Sequence, residues 1–125
     1  MELQFEGNKP IFQQIADWLA DAIIRGDIPE EGQIPSITEF SVNYKINPAT
    51  ALKGVNLLVE AGLLYKKRGL GMFVASGARE KLLQQRRQSF YQDFILPLLT
   101  EAQQVQLTKE ELMQMIERGY PQNDD

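Results

Sequence analysis

Two signals for the start of a helix lie only eleven residues apart in this sequence, and that short spacing limits the fold more than any other feature. Ser36, with Glu39 three residues later, has the pattern of a capping box. Asn47 followed by Pro48 has the pattern of a second N-cap with proline at the first helical position. The first of these helices can therefore have only about two turns, and a tight turn must join it to the second.

Further elements are predicted on both sides of this pair. A preceding helix is predicted between Pro10 and Gly26, where apolar residues recur at helical spacing, and the later helix of the pair is predicted to end at Gly62. Two extended runs, residues 63–65 and 72–75, then flank a basic tip whose glycines permit a hairpin turn. This order predicts a mainly α fold with a small β-hairpin: a winged helix-turn-helix domain over residues 1–75. In such domains the third helix enters the major groove of DNA and the wing reaches the adjacent backbone or minor groove.

Charge is distributed unevenly along the chain. The net charge of −4 argues against a nucleic-acid partner, for which a basic surface is expected. However, residues 45–87 hold nine cations against two acids, whereas residues 1–44 hold two against eight and residues 88–125 two against seven. A polyanion meets the local field rather than the net charge. A charged stretch is also the ordinary solvated surface of a folded domain, so charge alone leaves both interpretations open.

Several classes of protein are disfavoured by composition. The chain has no cysteine and no histidine, so it lacks thiolates, the commonest metal ligand and the commonest general base. We predict no catalytic residues, no metal site, no cofactor and no enzyme; a small hydrolase would need a Ser–Lys arrangement. The sequence shows no basic-then-apolar leader and no apolar run near the ~20 residues that cross a bilayer, so a cytoplasmic location is expected.

Residues 76–125 are predicted to form a two-helix tail. Apolar residues recur there at helical spacing, interrupted by Pro97, which should kink the helix or start a new one. Thr108 with Glu111 is a second capping box, and the helix it begins should end at Gly119. Such an aromatic stripe must pack on the winged domain or on a second chain. We predict a homodimer interface formed by Leu83, Phe90, Tyr91, Phe94, Ile95, Leu98 and Leu99.

A small-molecule site lined by the same aromatic residues is the alternative for this stripe. Phe90, Tyr91 and Phe94 would then form its lining. Whether an effector binds, and of what kind, stays open.

Four segments together resemble the DNA-binding domain of the GntR family of bacterial transcription regulators. In order they read "KPIFQQIADWLADAIIRGDI", "IPSITEF", "NPATALKGVNLLVEAGLL" and "KKRGLGMFV". The match of which they are part runs over roughly residues 9–75 without a gap. The remaining fifty residues are too few for the large effector domains of most members. They resemble the short tail of the YtrA subfamily, which serves dimerisation. The resemblance implies a DNA-binding regulator without catalytic activity.

The resemblance also implies particular DNA contacts. Ser36 and Thr50 match residues that touch phosphate, and Lys53 stands where the family usually has a base-contacting arginine. Thr38 replaces a guanine-reading arginine and Ala49 replaces an asparagine, so the usual operator of the family is not implied. The predicted DNA-binding set is Ser36, Thr38, Asn47, Ala49, Thr50, Lys53, Lys66, Lys67, Arg68 and the wing tip Gly69, Leu70 and Gly71.

Two leucines of the predicted recognition helix stand apart from this set. Leu52 and Leu57 are both expected to face outward. For Leu52, contact with a thymine methyl and packing against a neighbouring element both stay open.

We predict a sequence-specific transcription regulator, a repressor that binds double-stranded DNA at a two-fold operator as a homodimer. The alternative is a winged-helix module that binds proteins without specific DNA binding, which the negative net charge would suit.

Overall fold

The computed structural model describes residues 7–122. The first six residues, part of the segment in which no export leader is expected, and residues 123–125 lie outside that range. The chain divides into two compact units, one up to Gln84 and one from Gln85 onward. The prediction that residues 1–75 bind DNA and that residues 76–125 form a dimerisation tail concerns function, and it stays a prediction.

The first unit has the element order that the sequence predicts. Three helices come first: α1 (Ile11–Arg25), α2 (Ile37–Tyr44) and α3 (Pro48–Glu60). An antiparallel hairpin of β1 (Leu64–Lys67) and β2 (Gly71–Val74) follows. This arrangement confirms the mainly α, winged helix-turn-helix fold class.

Local hydrogen bonds set the predicted helix starts. The Ser36 hydroxyl oxygen accepts from the Glu39 amide at 3.0 Å, and the Glu39 carboxylate accepts from the Ser36 amide at 3.1 Å. The Asn47 side chain accepts from the Ala49 amide at 2.8 Å at the start of α3. Between α2 and α3, Lys45 adopts the left-handed conformation with φ 55°, which makes the connection tight.

The core lies where α1 packs against α3, with α2 and the hairpin closing it. Gly54 allows the close approach of the two helices, because a Cβ there would lie 2.7 Å from the Phe12 carbonyl oxygen. Trp18 is half-buried and meets Phe40 edge-on at 5.8 Å between ring centroids. The largest fully buried side chains are those of Ile15, Leu19, Ile23, Phe40, Val55, Leu63 and Val74.

The hairpin has different ends from those predicted. Its register pairs Lys67 with Gly71, so the strands extend further toward the tip than residues 63–65 and 72–75, and only residues 68–70 form the turn. The Leu70 amide closes this turn by donating to the Lys67 carbonyl at 2.9 Å. Gly69, with φ 80°, permits this three-residue turn, so pairing continues through both lysines.

The connection between α1 and α2 adds to the hairpin. The Ile34 amide donates to the Met72 carbonyl at 3.0 Å, and the Val74 amide donates to the Gly32 carbonyl at 2.9 Å. Gln33 thus lies opposite Phe73 in an isolated antiparallel bridge.

The last part of the chain is helical, beginning with α4 (Ala78–Phe90), which starts in the first unit and buries Ala78 and Leu82. A π-helical segment (Tyr91–Ile95) and α5 (Leu96–Gln104) follow without a break. α6 (Lys109–Gly119) begins at the capping box predicted at Thr108 and ends at Gly119, as expected. No helix within residues 7–122 has both the length and the apolar character needed to cross a membrane.

Pro97 lies in the first turn of α5, in agreement with the prediction that it starts a new helix, and the backbone before it stays helical. Proline cannot donate to the carbonyl four residues earlier, and its ring crowds that carbonyl. The backbone widens just before it, and the Leu96 amide bonds to the Tyr91 carbonyl, five residues back. The π-helical segment therefore accommodates Pro97 within a continuous run.

Candidate nucleic-acid interface

The start of α2 presents a hydroxyl that has a second use. The Ser36 oxygen accepts from the Glu39 amide as a helix cap, and the side chain is exposed. A hydroxyl that accepts one bond still has a proton to donate, so Ser36 can cap the helix and donate to a phosphate at once. Thr38 is exposed on the first turn of the same helix.

The start of α3 is favourable for an anion. Its first turn contains no acidic residue, and the unpaired amides at a helix N-terminus attract negative charge. Asn47 and Ala49 are exposed and Thr50 is half-buried. The three predicted contact residues therefore lie together at one helix end.

Lys53 is exposed one turn further along α3, and its ammonium lies over an aromatic ring of α1. The Nζ atom is 4.0 Å from the centroid of the Phe12 ring, within the range of a cation–π contact. This contact holds the charge at the junction of α1 and α3. Sequence reasoning missed Phe12, because an aromatic residue near the start of a helix has no pattern that indicates a lysine above it.

The two outward leucines predicted on α3 have different environments. Leu52 is 43% exposed and lies on the outer surface of the helix, beside Lys53. Leu57 is half-buried and packs against the core, so the prediction that it faces outward is wrong. Its turn of α3 also carries buried Leu58 and half-buried Val59, and this apolar surface is wide enough to include Leu57.

The three wing cations are not one cluster at the tip. Lys66 and Lys67 are successive residues of β1, so their side chains project to opposite faces of the hairpin. The Lys67 ammonium lies 4.4 Å from the centroid of the Phe73 ring. Only Arg68 belongs to the turn, and with Gly69 and Leu70 it is exposed.

The tip backbone depends on its two glycines and on one side chain from outside the hairpin. Gly69 has φ 80° and Gly71 has φ 121°, angles that other residues rarely adopt. The Gln33 side-chain amide donates to the Leu70 carbonyl at 2.7 Å. Sequence reasoning missed Gln33, since it lies in an irregular connection far from the wing in sequence.

The base of the wing is tied to the same connection by a carboxylate. Tyr65 donates its hydroxyl to the Glu31 carboxylate, and the Ser76 hydroxyl donates to it at 2.9 Å. These bonds, the one from Tyr65 first, lower the pKa of Glu31, because they stabilise its charged form. The same bond raises the pKa of Tyr65, since the ionised phenol could no longer donate.

The residues predicted to form a dimer interface are mostly exposed. Phe90 and Phe94 pack against each other with ring centroids 5.3 Å apart, yet their exposed fractions are 51% and 63%. Leu83 and Ile95 are half-buried instead. The other three, which are exposed, are Tyr91, Leu98 and Leu99.

Comparison with known proteins gave relatives that are named as HTH-type transcription regulators. No protein-family model matches the chain. The HTH-type transcriptional regulator YhcF of Bacillus subtilis is 27% identical over 116 residues, which cover 93% of this chain and 94% of YhcF. The HTH-type transcriptional repressor YtrA of the same organism is 23% identical over 84 residues, covering 67% of this chain and 65% of YtrA.

Solved structures agree with these relatives. A transcriptional regulator of the GntR family from Bacteroides thetaiotaomicron is similar to this chain with 31% identity and a TM-score of 0.68, over 86% of this chain and 94% of that one. A structure of the AraR DNA-binding domain in complex with operator ORR3 is 31% identical with a TM-score of 0.53. It covers 60% of this chain and 90% of the AraR domain.

Proposed function

This chain belongs to the GntR family of transcription regulators, and on that premise we propose that it is a repressor which occupies a two-fold DNA operator as a homodimer. Membership, with YtrA-type proteins among its relatives, makes it a regulator of transcription and not an enzyme. Its site of action would be the cytoplasm, where the DNA of a bacterial cell lies.

The observation that carries the proposal is the outer surface of α3, which is exposed beside a first turn free of acids. Ala49, Leu52 and Lys53 lie on that surface. A helix presented in this way fits the major groove, where lysine can donate to the acceptors of guanine and a leucine can touch a thymine methyl. Lys53 would then read a base, although it lacks the rigid fork of arginine.

Phosphate contacts would set the position of α3 in the groove. Ser36 at the start of α2 and Thr50 at the start of α3 can donate to backbone phosphates on either side. The wing tip would approach the minor groove, with Arg68 near phosphate and Leu70 at the groove itself. The structure of the AraR domain with an operator is a precedent for binding of DNA by a domain of this fold.

Dimerisation would be the task of the helical tail. Its exposed apolar side chains need cover, and two-fold pairing is the commonest way for identical chains to supply it. Half-sites about 34 Å apart, one turn of DNA, would then be bound by two winged domains at once. Repression is proposed because YtrA is named a repressor.

A mobility-shift titration with DNA flanking the chain's own gene tests the proposal. We expect a shift that survives excess random DNA, at a stoichiometry of two chains per operator. Equal competition by random and flanking DNA would contradict specific binding at that locus. The absence of any shift at low salt, where phosphate contacts are strongest, would favour the protein-binding alternative.

A further inference from the structure

We propose that Gln33 is a positioning residue for the wing, which fixes the turn at residues 68–70 in the conformation that meets DNA. This inference rests on the proposed DNA-binding function and adds to it a residue that lies in neither the helix-turn-helix nor the hairpin.

The first support is a hydrogen bond to the tip itself. The Nε2 atom of Gln33 donates to the Leu70 carbonyl at 2.7 Å. Because the acceptor is a carbonyl, the nitrogen of the amide and not its oxygen must face it. The bond joins residues 37 positions apart.

The second support is that the backbone around Gln33 is itself held. Ile34 donates to Met72, and Val74 donates to Gly32, so β2 bonds the residues on both sides of Gln33. The side chain therefore extends from an anchored backbone toward the turn. A donor with an anchored backbone can restrain the tip. A donor on a mobile loop would move together with the tip and would not restrain it.

The third support is the space at Gly71. A Cβ on this glycine would lie 2.7 Å from the Gln33 Nε2 atom, whereas a Cβ on Gly69 would meet nothing within 4 Å. The φ of 121° itself favours glycine at this position, and a Cβ there would also displace the Gln33 amide from its present place. The turn is open on the side of Gly69 and is held on the side of Gly71.

The turn has reason to need such a restraint. It is short, exposed and rich in glycine, and its own closing bond is the one from Leu70 to Lys67. When a turn becomes ordered only on binding, its loss of conformational entropy lowers the affinity. If Gln33 already holds Leu70 in the free protein, the turn loses this entropy during folding and not during DNA binding.

The position of Gln33 also links two predicted DNA contacts. It lies three residues before Ser36, the cap of α2. The same short segment would thus set both the phosphate-facing start of α2 and the wing tip.

The first test is hydrogen exchange in the free, full-length protein. Gln33→Met keeps the length of the side chain and removes the donor. The matched control is Gln13→Met, which also removes one amide bond, from Gln13 to Asp17 at 3.0 Å on α1. We expect the Leu70 amide to exchange several-fold faster in Gln33→Met, on the order of the loss of one hydrogen bond, and to be unchanged in Gln13→Met. Equal exchange at Leu70 in all three proteins would overturn the proposal.

The second test is a double-mutant cycle on DNA affinity. Gln33→Met should weaken binding about threefold to tenfold, the equivalent of one net hydrogen bond, and Gln13→Met should not. In a background of Arg68→Ala and Leu70→Ala, in which the tip has lost its side chains, the effect of Gln33→Met should disappear. A residue that contacts DNA itself, or acts only through global stability, would keep its effect in that background, and this result would overturn the positioning role.

Failure of the proposed function is distinguishable from failure of this inference. If the parent protein binds no DNA, the proposed function fails and the role of Gln33 in DNA binding fails with it. The exchange measurement needs no DNA, so it still decides whether Gln33 holds the turn. If the parent binds and Gln33→Met binds equally well, only the role of Gln33 is wrong.

Discussion

The two units of the chain treat their apolar side chains in opposite ways. In the first unit, residues 7–84 bury a continuous core of aliphatic and aromatic side chains. From Gln85 to residue 122, Ala102 is the one buried residue among those described. The large apolar residues that this second unit leaves exposed are Phe90, Tyr91, Phe94, Leu96, Leu98, Leu99, Val105, Met113, Met115, Ile116 and Tyr120.

The difference indicates that one unit completes its own core and the other does not. The first unit stacks α1 against α3 and closes the ends with α2 and the hairpin. Among its described residues, the large apolar side chains that stay exposed are Ile11, Val42, Leu52 and Leu70. The second unit has helices alone, and too few of them to cover one another. An exposed apolar surface of this extent marks an interaction site, and this supports the proposal that a second copy covers it.

The largest effect should come from Phe94→Glu. This variant tests whether the second unit needs a partner to cover its apolar side chains. A carboxylate in the proposed interface should dissociate the dimer, and loss of the second half-site should weaken operator binding by about 10²–10⁴-fold. Light scattering measures the first change and an operator titration the second.

The control for this variant is Gln92→Glu, two residues earlier, since residues two apart on a helix do not face each other. It adds the same charge and should remain dimeric. If Phe94→Glu stays dimeric, or binds DNA as tightly as the parent, the tail has another role. The small-molecule site lined by Phe90, Tyr91 and Phe94 would then be the leading interpretation.

Gly54→Ala sharpens the contrast in packing. Its methyl group would lie 3.0 Å from the Ile15 Cβ as well as against the backbone of α1, so we expect a loss of about 1–3 kcal/mol in the free energy of unfolding. Gly119→Ala, at the end of α6, meets nothing within 4 Å and should leave stability nearly unchanged. Urea denaturation of the two variants checks this. Equal costs would mean that the tail is packed as tightly as the winged unit.

Lys53→Ala asks whether the winged unit alone carries sequence information. Loss of a base contact should cost about 1–3 kcal/mol on the preferred operator and much less on random DNA. The control is Lys109→Ala, which removes an exposed cation of α6. It should change neither the affinity for the operator nor the affinity for random DNA. Equal losses on both DNAs would make Lys53 a phosphate contact. Because Lys53 also lies over Phe12, the unfolding curve of the variant must be measured beside its affinity.

Arg68→Ala should give the smallest effect, and one without sequence preference. Loss of one phosphate contact should weaken binding to all DNAs alike and reduce the slope of log K against log salt by about one counterion. Arg118→Ala in the tail should leave the slope unchanged. An unaltered slope in Arg68→Ala would show that the wing turn does not contact phosphate.

Local patterns predicted the elements well, because the bonds that form those patterns are local. The capping boxes at Ser36 and Thr108 each join residues three apart, and the cap at Asn47 joins residues two apart. Propensity and spacing along the chain therefore contain nearly all the information that these helix starts need. The fold class followed from the order of the elements.

Patterns of a single segment predicted the details of the wing less well. The strand ends were wrong by one or two residues, because pairing depends on both strands and on the turn that joins them. The prediction that Lys66 and Lys67 belong to the basic tip was wrong, because both residues pair as part of β1. For Pro97, the sequence indicated a disturbance, and the helix accommodated it by widening at Tyr91–Ile95.

The sequence by itself determined where the helices of this protein begin, that a glycine hairpin follows the third, and that apolar side chains outnumber their possible partners in the tail. Only the tertiary structure decided that Gln33 holds Leu70, that Glu31 meets Tyr65 and that Lys53 lies over Phe12. Gln33 and Leu70 are 37 positions apart, and Glu31 and Tyr65 are 34 apart. Contacts over such separations leave no periodic trace in the sequence, because they exist only after the core has brought distant segments together.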